Sequence, residues 1–142
     1  MTSSTRSIMI YIDTNVIIYS YVNPEDSKHI TSKHLIEKLM SENNLILSPL
    51  NLQELIFVLN KLGMDKKEIF EIYELFSKYS KYSLSIKLIK DACQLCFDID
   101  SLRRINDAVH LKFAEKYADK LITFDNDFKK FQDHTDFKIE IL

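Results

Sequence analysis

The sequence predicts an α/β fold, a three-layer α/β/α sandwich with a mainly parallel central sheet. Three observations carry this. Short apolar runs at residues 8–12, 45–47 and 121–124 are the length of buried strands. Between them lie longer stretches with helical apolar spacing and capping residues at their starts. The order is strand, helices, strand, helices, strand, helix, strand, which suits helices packed against a sheet.

Taken in order, Ile-Met-Ile-Tyr-Ile at 8–12 is the first strand, and it stops abruptly at Asp13-Thr14-Asn15. Tyr11 and Ile12 suit a buried pleat. Residues 16–21 make a short helical turn, broken at Asn23-Pro24. Residues 27–40 form an amphipathic helix. Leu35, Ile36, Leu39 and Met40 share one side, and Lys28, Lys33, Glu37 and Lys38 surround the other. After a turn at 41–44 comes the strand at 45–47. Ser48-Pro49 then opens a helix, with serine at the cap and proline at the first helical position. It runs to about residue 62, where Gly63 stops it.

Asp65 caps the next helix, with Ile69, Ile72, Tyr73 and Phe76 facing the core and Glu68, Glu71 and Glu74 facing solvent. A polar connection at 78–82 leads to a helix capped by Ser85 and ending near 97. Its spacing places Cys93 and Cys96 on one apolar face with Ile86 and Ile89. Residues 98–105 read as a loop carrying Asp98, Asp100, Arg103 and Arg104. Asn106-Asp107 opens the helix at 108–118, with Asp107 continuing the inward face of Leu111, Ala114 and Ala118. The strand at 121–124 again ends in acid, Asp125-Asn126-Asp127. Phe128 and Phe131 start a short helix, and the alternation at 137–142 is that of a half-exposed strand.

A length of 142 residues fits one domain, assigned to 8–142 after a flexible N-terminus at 1–7. One glycine and two prolines exclude a P-loop and a dinucleotide fingerprint, both of which need glycines at set spacing. With 19 basic and 21 acidic residues the net charge is −2, so contact with nucleic acid has to use a local patch. No apolar run is long enough to cross a bilayer, so no membrane contact is expected. The lone C-x-x-C has no second pair to complete a zinc site and reads as core cysteines, which favours a reducing, cytoplasmic location.

Four acids stand out. Asp13 and Asp125 each follow a buried strand, and Glu54 and Asp107 lie in helices that follow a strand or loop. Alone, Asp13 reads as the cap of the helix near Val16, and Glu54 reads equally as part of an exposed stripe with Asn51. In a parallel sheet, however, strand ends and the helix starts that follow them share one edge. Four carboxylates brought together there repel one another unless a cation joins them. Hard oxygen ligands suit Mg²⁺ or Mn²⁺, and such a site suggests hydrolysis of a phosphodiester.

These motifs resemble the PIN-domain family. The resemblance rests on Asp13-Thr14-Asn15, on Glu54 in the helix opened by Ser48-Pro49, on N-D-A-V-H-L at 106–111 and on L-I-T-F-D-N-D-F at 121–128. Order, spacing and length match from about residue 8 to 142. The resemblance implies a Mg²⁺- or Mn²⁺-dependent ribonuclease whose acidic positions fall on Asp13, Glu54, Asp107 and Asp125. Asp13, Asp107 and Asp125 hold metal, and Glu54 ligates or positions water. Asn15 and Thr123 match supporting polar positions, and Asp127 lies close enough to assist. Compact members of this size are commonly VapC-type toxins of toxin–antitoxin pairs, which implies an antitoxin partner and a homodimer. The chain departs from the family in having Ala118-Asp119 where a glycine often precedes the last strand.

Arg103 and Arg104, just before Asp107, are expected at the rim of the cleft, where they would bind the RNA backbone or pair with Asp98 or Asp100. His110, one turn after Asp107, could orient water or substrate, but reads first as a partly buried structural histidine. The alternative function is a non-catalytic RNA- or protein-binding module of the same fold, which would gain by losing these acids. A phosphoryl-accepting receiver domain expects an acid pair at the first strand and a lysine after the last, and Asp13-Thr14-Asn15 does not fit it.

Overall fold

The computed structural model describes residues 7–142. Apart from Ser7, which is exposed, the segment expected to be flexible at 1–7 lies outside the described residues. Strands β1 (Ile10–Ile12), β2 (Leu45–Ile46), β3 (Lys120–Thr123) and β4 (Ile139–Ile141) form one sheet in the order β2-β1-β3-β4. All of these pairings are parallel. Tyr11 of β1 lies opposite Ile46 of β2 and Leu121 of β3.

Alternation along the strands builds two cores. Tyr11, Ile46 and Leu121 point to one face, which is covered by α5 (Ile86–Asp98), α6 (Ile105–Tyr117) and the 3-10 segment Asn126–His134. Ile10, Ile12, Leu45 and Ile122 point to the other, which is covered by α1 (Thr14–Tyr19), α2 (Ser27–Ser41), α3 (Pro49–Lys61) and α4 (Lys66–Ser77). The expected three-layer sandwich results, and β1 is buried on both faces.

Local chemistry sets the helix starts. The Asp26, Asp65 and Ser85 side chains accept from the backbone N–H of Lys28, Lys67 and Leu88. At α3, Ser48 and Asn51 form a reciprocal capping box, and Pro49 opens the first turn. Gly63 follows α3 with φ of +85°, a conformation that suits a residue without Cβ.

Four expectations change. The buried stripe of α5 is Leu88, Ala92, Leu95 and Cys96; Ile86 and Ile89 are exposed and Cys93 is only partly buried. Helical spacing alone did not show which side of an apolar-rich helix meets α6. The loop at 98–105 contains a 3-10 turn, Leu102–Arg104, and α6 begins at Ile105. The segment after Asp125 is 3-10 and not α-helical, with Phe128 and Phe131 wholly buried. Asn51 is not on an exposed stripe; it is fully buried.

Asn51 is the strut between α3 and the end of β1. Its Nδ2 donates to the Ile12 carbonyl at 3.2 Å and to Thr14 Oγ1 at 3.0 Å, while its Oδ1 accepts from the Ser48 N–H at 2.9 Å. Truncation would leave these groups buried and unpaired. Asn51→Ala should therefore lose about 2–4 kcal/mol of stability. Urea unfolding checks this, and a loss below about 1 kcal/mol would show that the strut is dispensable.

Candidate active site

The chain runs from β1 outward to β2 and then returns to β3 on the other side of β1. Strand order therefore reverses between β1 and β3, and a crevice opens at their carboxyl ends. Asp13 leaves β1 there, and Thr123 and Asp125 leave β3. The two strand ends are tied directly. Asp13 N–H donates to the Ile122 carbonyl at 2.9 Å, and Thr123 Oγ1 donates to Asp13 Oδ2 at 2.8 Å. Asp13 occupies the cap position of α1, but its carboxylate makes no capping hydrogen bond. The cap reading of Asp13 thus gives way: the side chain is turned into the crevice.

One half of the site is built around His110. Its Nε2 donates to Glu54 Oε1 at 2.7 Å and lies 3.7 Å from Asp13 Oδ1. Glu54 Oε1 also accepts from Thr14 Oγ1 at 2.6 Å, and Oε2 accepts from Asn106 Nδ2 at 3.1 Å. Burial works against a charge on Glu54, yet these bonds, His110 foremost, hold its carboxyl below the usual value. Burial likewise opposes a charge on His110, but Glu54 and Asp13 outweigh it and hold the imidazole above its usual value. A charged imidazole donates from both nitrogens. Nδ1 then donates to the Tyr11 hydroxyl, and that hydroxyl donates to Ser48 Oγ at 2.9 Å. The polar chain from α3 through β1 and α6 back to α3 is thereby satisfied.

The other half is built around Arg104. Nη1 donates to Asp107 Oδ2 at 3.0 Å and to Asp125 Oδ2 at 3.4 Å, and Nη2 pairs with Asp127. Asp125 Oδ1 accepts from the Asp127 N–H at 2.8 Å, so this acid caps the 3-10 segment as well. Burial pushes Asp107 up despite Arg104, and burial also pushes Asp13 up, to about 6. Asp13 further feels the charges of Asp107 and Glu54, and Asp107 feels that of Asp125.

The four predicted acids therefore meet at one edge, and Asp127 joins them. Thr123 Oγ1 bonds the Asp13 carboxylate. Asn15 lies beside them in α1 but bonds none of them; its Oδ1 is buried without a hydrogen-bond partner. Arg103 is exposed and outside the ion pairs, whereas Arg104 pairs with Asp107, Asp125 and Asp127 and not with Asp98 or Asp100. His110 is 1% exposed and carries one half of the site, so the structural reading understates it. Its i+3 spacing from Asp107 on an inward face was the available signal, as was Tyr11, whose buried hydroxyl needs a partner. Asn106, Thr14 and Asn51 gave no such signal.

The donor set fits a divalent cation. Carboxylate oxygens of Asp13 and Glu54 lie within 4.8 Å of each other and of His110, whose charged imidazole donates to Glu54 and is not itself a ligand. Two carboxyls, the buried Asp13 and the half-buried Asp107, are held above their usual range, a penalty that a bound cation would relieve. With oxygen donors predominating, hard cations match the site best.

Comparison with known proteins gives the same fold. VapBC2 from Rickettsia felis, solved bound to a DNA fragment from their promoter, matches with a TM-score of 0.68 and 19% identity over 95% of this chain and 99% of that one. DNA-bound VapBC from Salmonella typhimurium matches with a TM-score of 0.65 and 17% identity over 94% and 98%. No curated protein sequence gives a significant match. The family model described as the PIN domain matches residues 10–133, a span that takes in β1 to β3 and every acid of the crevice. The chain belongs to the PIN-domain family.

Proposed function

We propose that this chain is a metal-dependent endoribonuclease that hydrolyses RNA phosphodiesters in the cytoplasm, and that it is the toxin of a toxin–antitoxin pair. The observation that carries the reading is the convergence of Asp13, Glu54, Asp107 and Asp125 at the β1/β3 crevice, each with a positioning partner. Asp13, Asp107 and Asp125 would hold Mg²⁺ or Mn²⁺, with Asn15, Thr123 and Asp127 in support. The cation would polarise a phosphoryl oxygen and make water a better nucleophile.

The chain's own groups do the rest. Glu54 is held ionised below its usual pKa, so it is a weak base and an effective acceptor. Its Oε2, bonded only to Asn106, can accept a hydrogen bond from a water and aim it. Thr14, Asn106 and His110 fix the carboxylate so that no reorganisation is needed. Arg103, exposed beside the crevice, meets the RNA backbone, and Arg104 does so once free of its acids.

The toxin reading draws on the fold shared with the VapBC structures. It is supported by two apolar faces. Around a groove between α3 and α4, Ile56, Phe57 and Phe70 are exposed; on α5, Ile86, Ile89 and Phe97 are exposed. Two such faces suit a chain that meets a second copy of itself and an antitoxin. No helix among the described residues is long and apolar enough to cross a membrane.

Four outcomes are expected. Cleavage of RNA by the purified protein should vanish in EDTA and return with Mg²⁺ or Mn²⁺. Asp13→Asn should abolish it with the melting temperature unchanged or raised, because a costly buried charge is removed. Full activity in that variant or after thorough chelation would refute the mechanism. Light scattering at micromolar concentration should give a dimer mass, and a monomer across that range would count against it.

The fourth outcome concerns pH. Glu54, held below 4.5, contributes stability above that pH which is lost as pH falls through its folded pKa. Asp13, raised from 3.8 to about 6, costs stability as pH climbs through that interval. His110, held above 6.5, contributes stability below that pH which is lost as pH rises through its folded pKa. The metal-free protein should therefore melt highest near pH ~5 and lower at pH ~8. Mn²⁺ should move the maximum upward. A metal-free melting temperature that climbs from pH ~5 to ~8 would contradict this charge assignment.

A further inference from the structure

We propose that Arg104 is a tethered cation that occupies the Asp107–Asp125–Asp127 half of the acid cluster and competes with the divalent metal for it. This rests on the metal-dependent reading above and adds to it the control of metal occupancy. The guanidinium spans three carboxylates that come from the first turn of α6 and from the segment after β3. Its fork matches that arrangement, since separate N–H groups can reach separate acids.

The oxygens it uses are the ones a metal needs. Asp125 Oδ1 is already engaged by the Asp127 N–H, so Oδ2 is the oxygen left for a cation, and Arg104 Nη1 holds it at 3.4 Å. The same nitrogen holds Asp107 Oδ2 at 3.0 Å. A guanidinium and a divalent ion sharing these oxygens would repel each other at close range. One therefore replaces the other. His110 cannot stand in for Arg104, because it is committed to Glu54 and Tyr11.

The seat is also one that can be vacated. Arg104 Nε is buried without a hydrogen-bond partner, so the fork is not fully satisfied where it lies. Arg104 ends a single 3-10 turn, and its side chain is 17% exposed, so it can leave toward solvent without crossing either core. Once displaced, it joins the exposed Arg103 at the rim, where a polyanion would approach. In the metal-free state Arg104 quiets the acids; with metal bound it is released toward phosphate.

The test is a Mn²⁺ titration, by calorimetry, of the full chain and of its Arg104→Gln and Arg104→Lys variants, without RNA. Arg104→Gln should bind Mn²⁺ about tenfold more tightly, because the competing charge is gone. Arg104→Lys keeps the charge but loses the fork, so it should tighten binding less; it also serves if the glutamine variant fails to fold. The metal-free Arg104→Gln protein should melt lower than the parent, and Mn²⁺ should raise its melting temperature by more. Unchanged or weaker Mn²⁺ affinity in both variants, with the parent binding normally, would overturn the competition alone. Failure of the parent and of both variants to bind Mn²⁺ would overturn the metal-dependent reading and this inference with it.

Discussion

The structure depends on charge compensation at one sheet edge. Asp13, Glu54, Asp107, Asp125 and Asp127 converge where β1 and β3 end, and carboxylates this close cannot all stay ionised without a cation. The chain supplies two of its own. His110 sits between Asp13 and Glu54, and Arg104 sits among the remaining three. The compensation is incomplete, as the raised Asp13 and Asp107 carboxyls show. That residual strain is what a divalent cation would remove, and it links the stability of the fold to the chemistry of the site.

The edge itself comes from the order of the strands. Because β1 is flanked by β2 and β3, its end lies at the centre of the sheet, and Asp13 is carried into the crevice by a strand buried on both sides. Parallel register does the alignment. Ile12 lies opposite Ile122, so the next residues, Asp13 and Thr123, meet and bond. Asn51 then locks α3 to the same strand end through Ile12 and Thr14, and this places Glu54 one turn further along α3. A site assembled from strand ends and helix starts needs little from loops, which fits a chain with a single glycine.

The buried run from Ser48 through Tyr11 and His110 to Glu54 shows how the core and the site share residues. Tyr11 is wholly buried and belongs to the α5/α6 core, yet its hydroxyl supports the imidazole that holds Glu54. Such a network rigidifies when every member is bonded and is costly when one is not. The residues behind the acids are therefore as much a part of the site as the acids themselves.

Much of this was legible in the sequence. Short apolar runs, one alternating stretch and capping residues located the strands and most helix starts, because all arise from neighbours within a few residues. Asp13, Glu54, Asp107 and Asp125 could be singled out because an acid after an apolar strand, or inside an apolar run, conflicts with its surroundings unless it has a task. The partners of those acids could not. Nothing local tells that Arg104 would bridge acids up to 23 positions away, that His110 would reach Glu54 across 56 positions, or that Asn51 would be buried. Nor did the spacing of α5 reveal that Leu88 and Ala92, and not Ile86 and Ile89, would face α6. Local sequence determined which segments became strands and helices and which acids were out of place. Only the tertiary structure decided which charges neutralise one another, because that depends on through-space distances set by how the strands are ordered and packed.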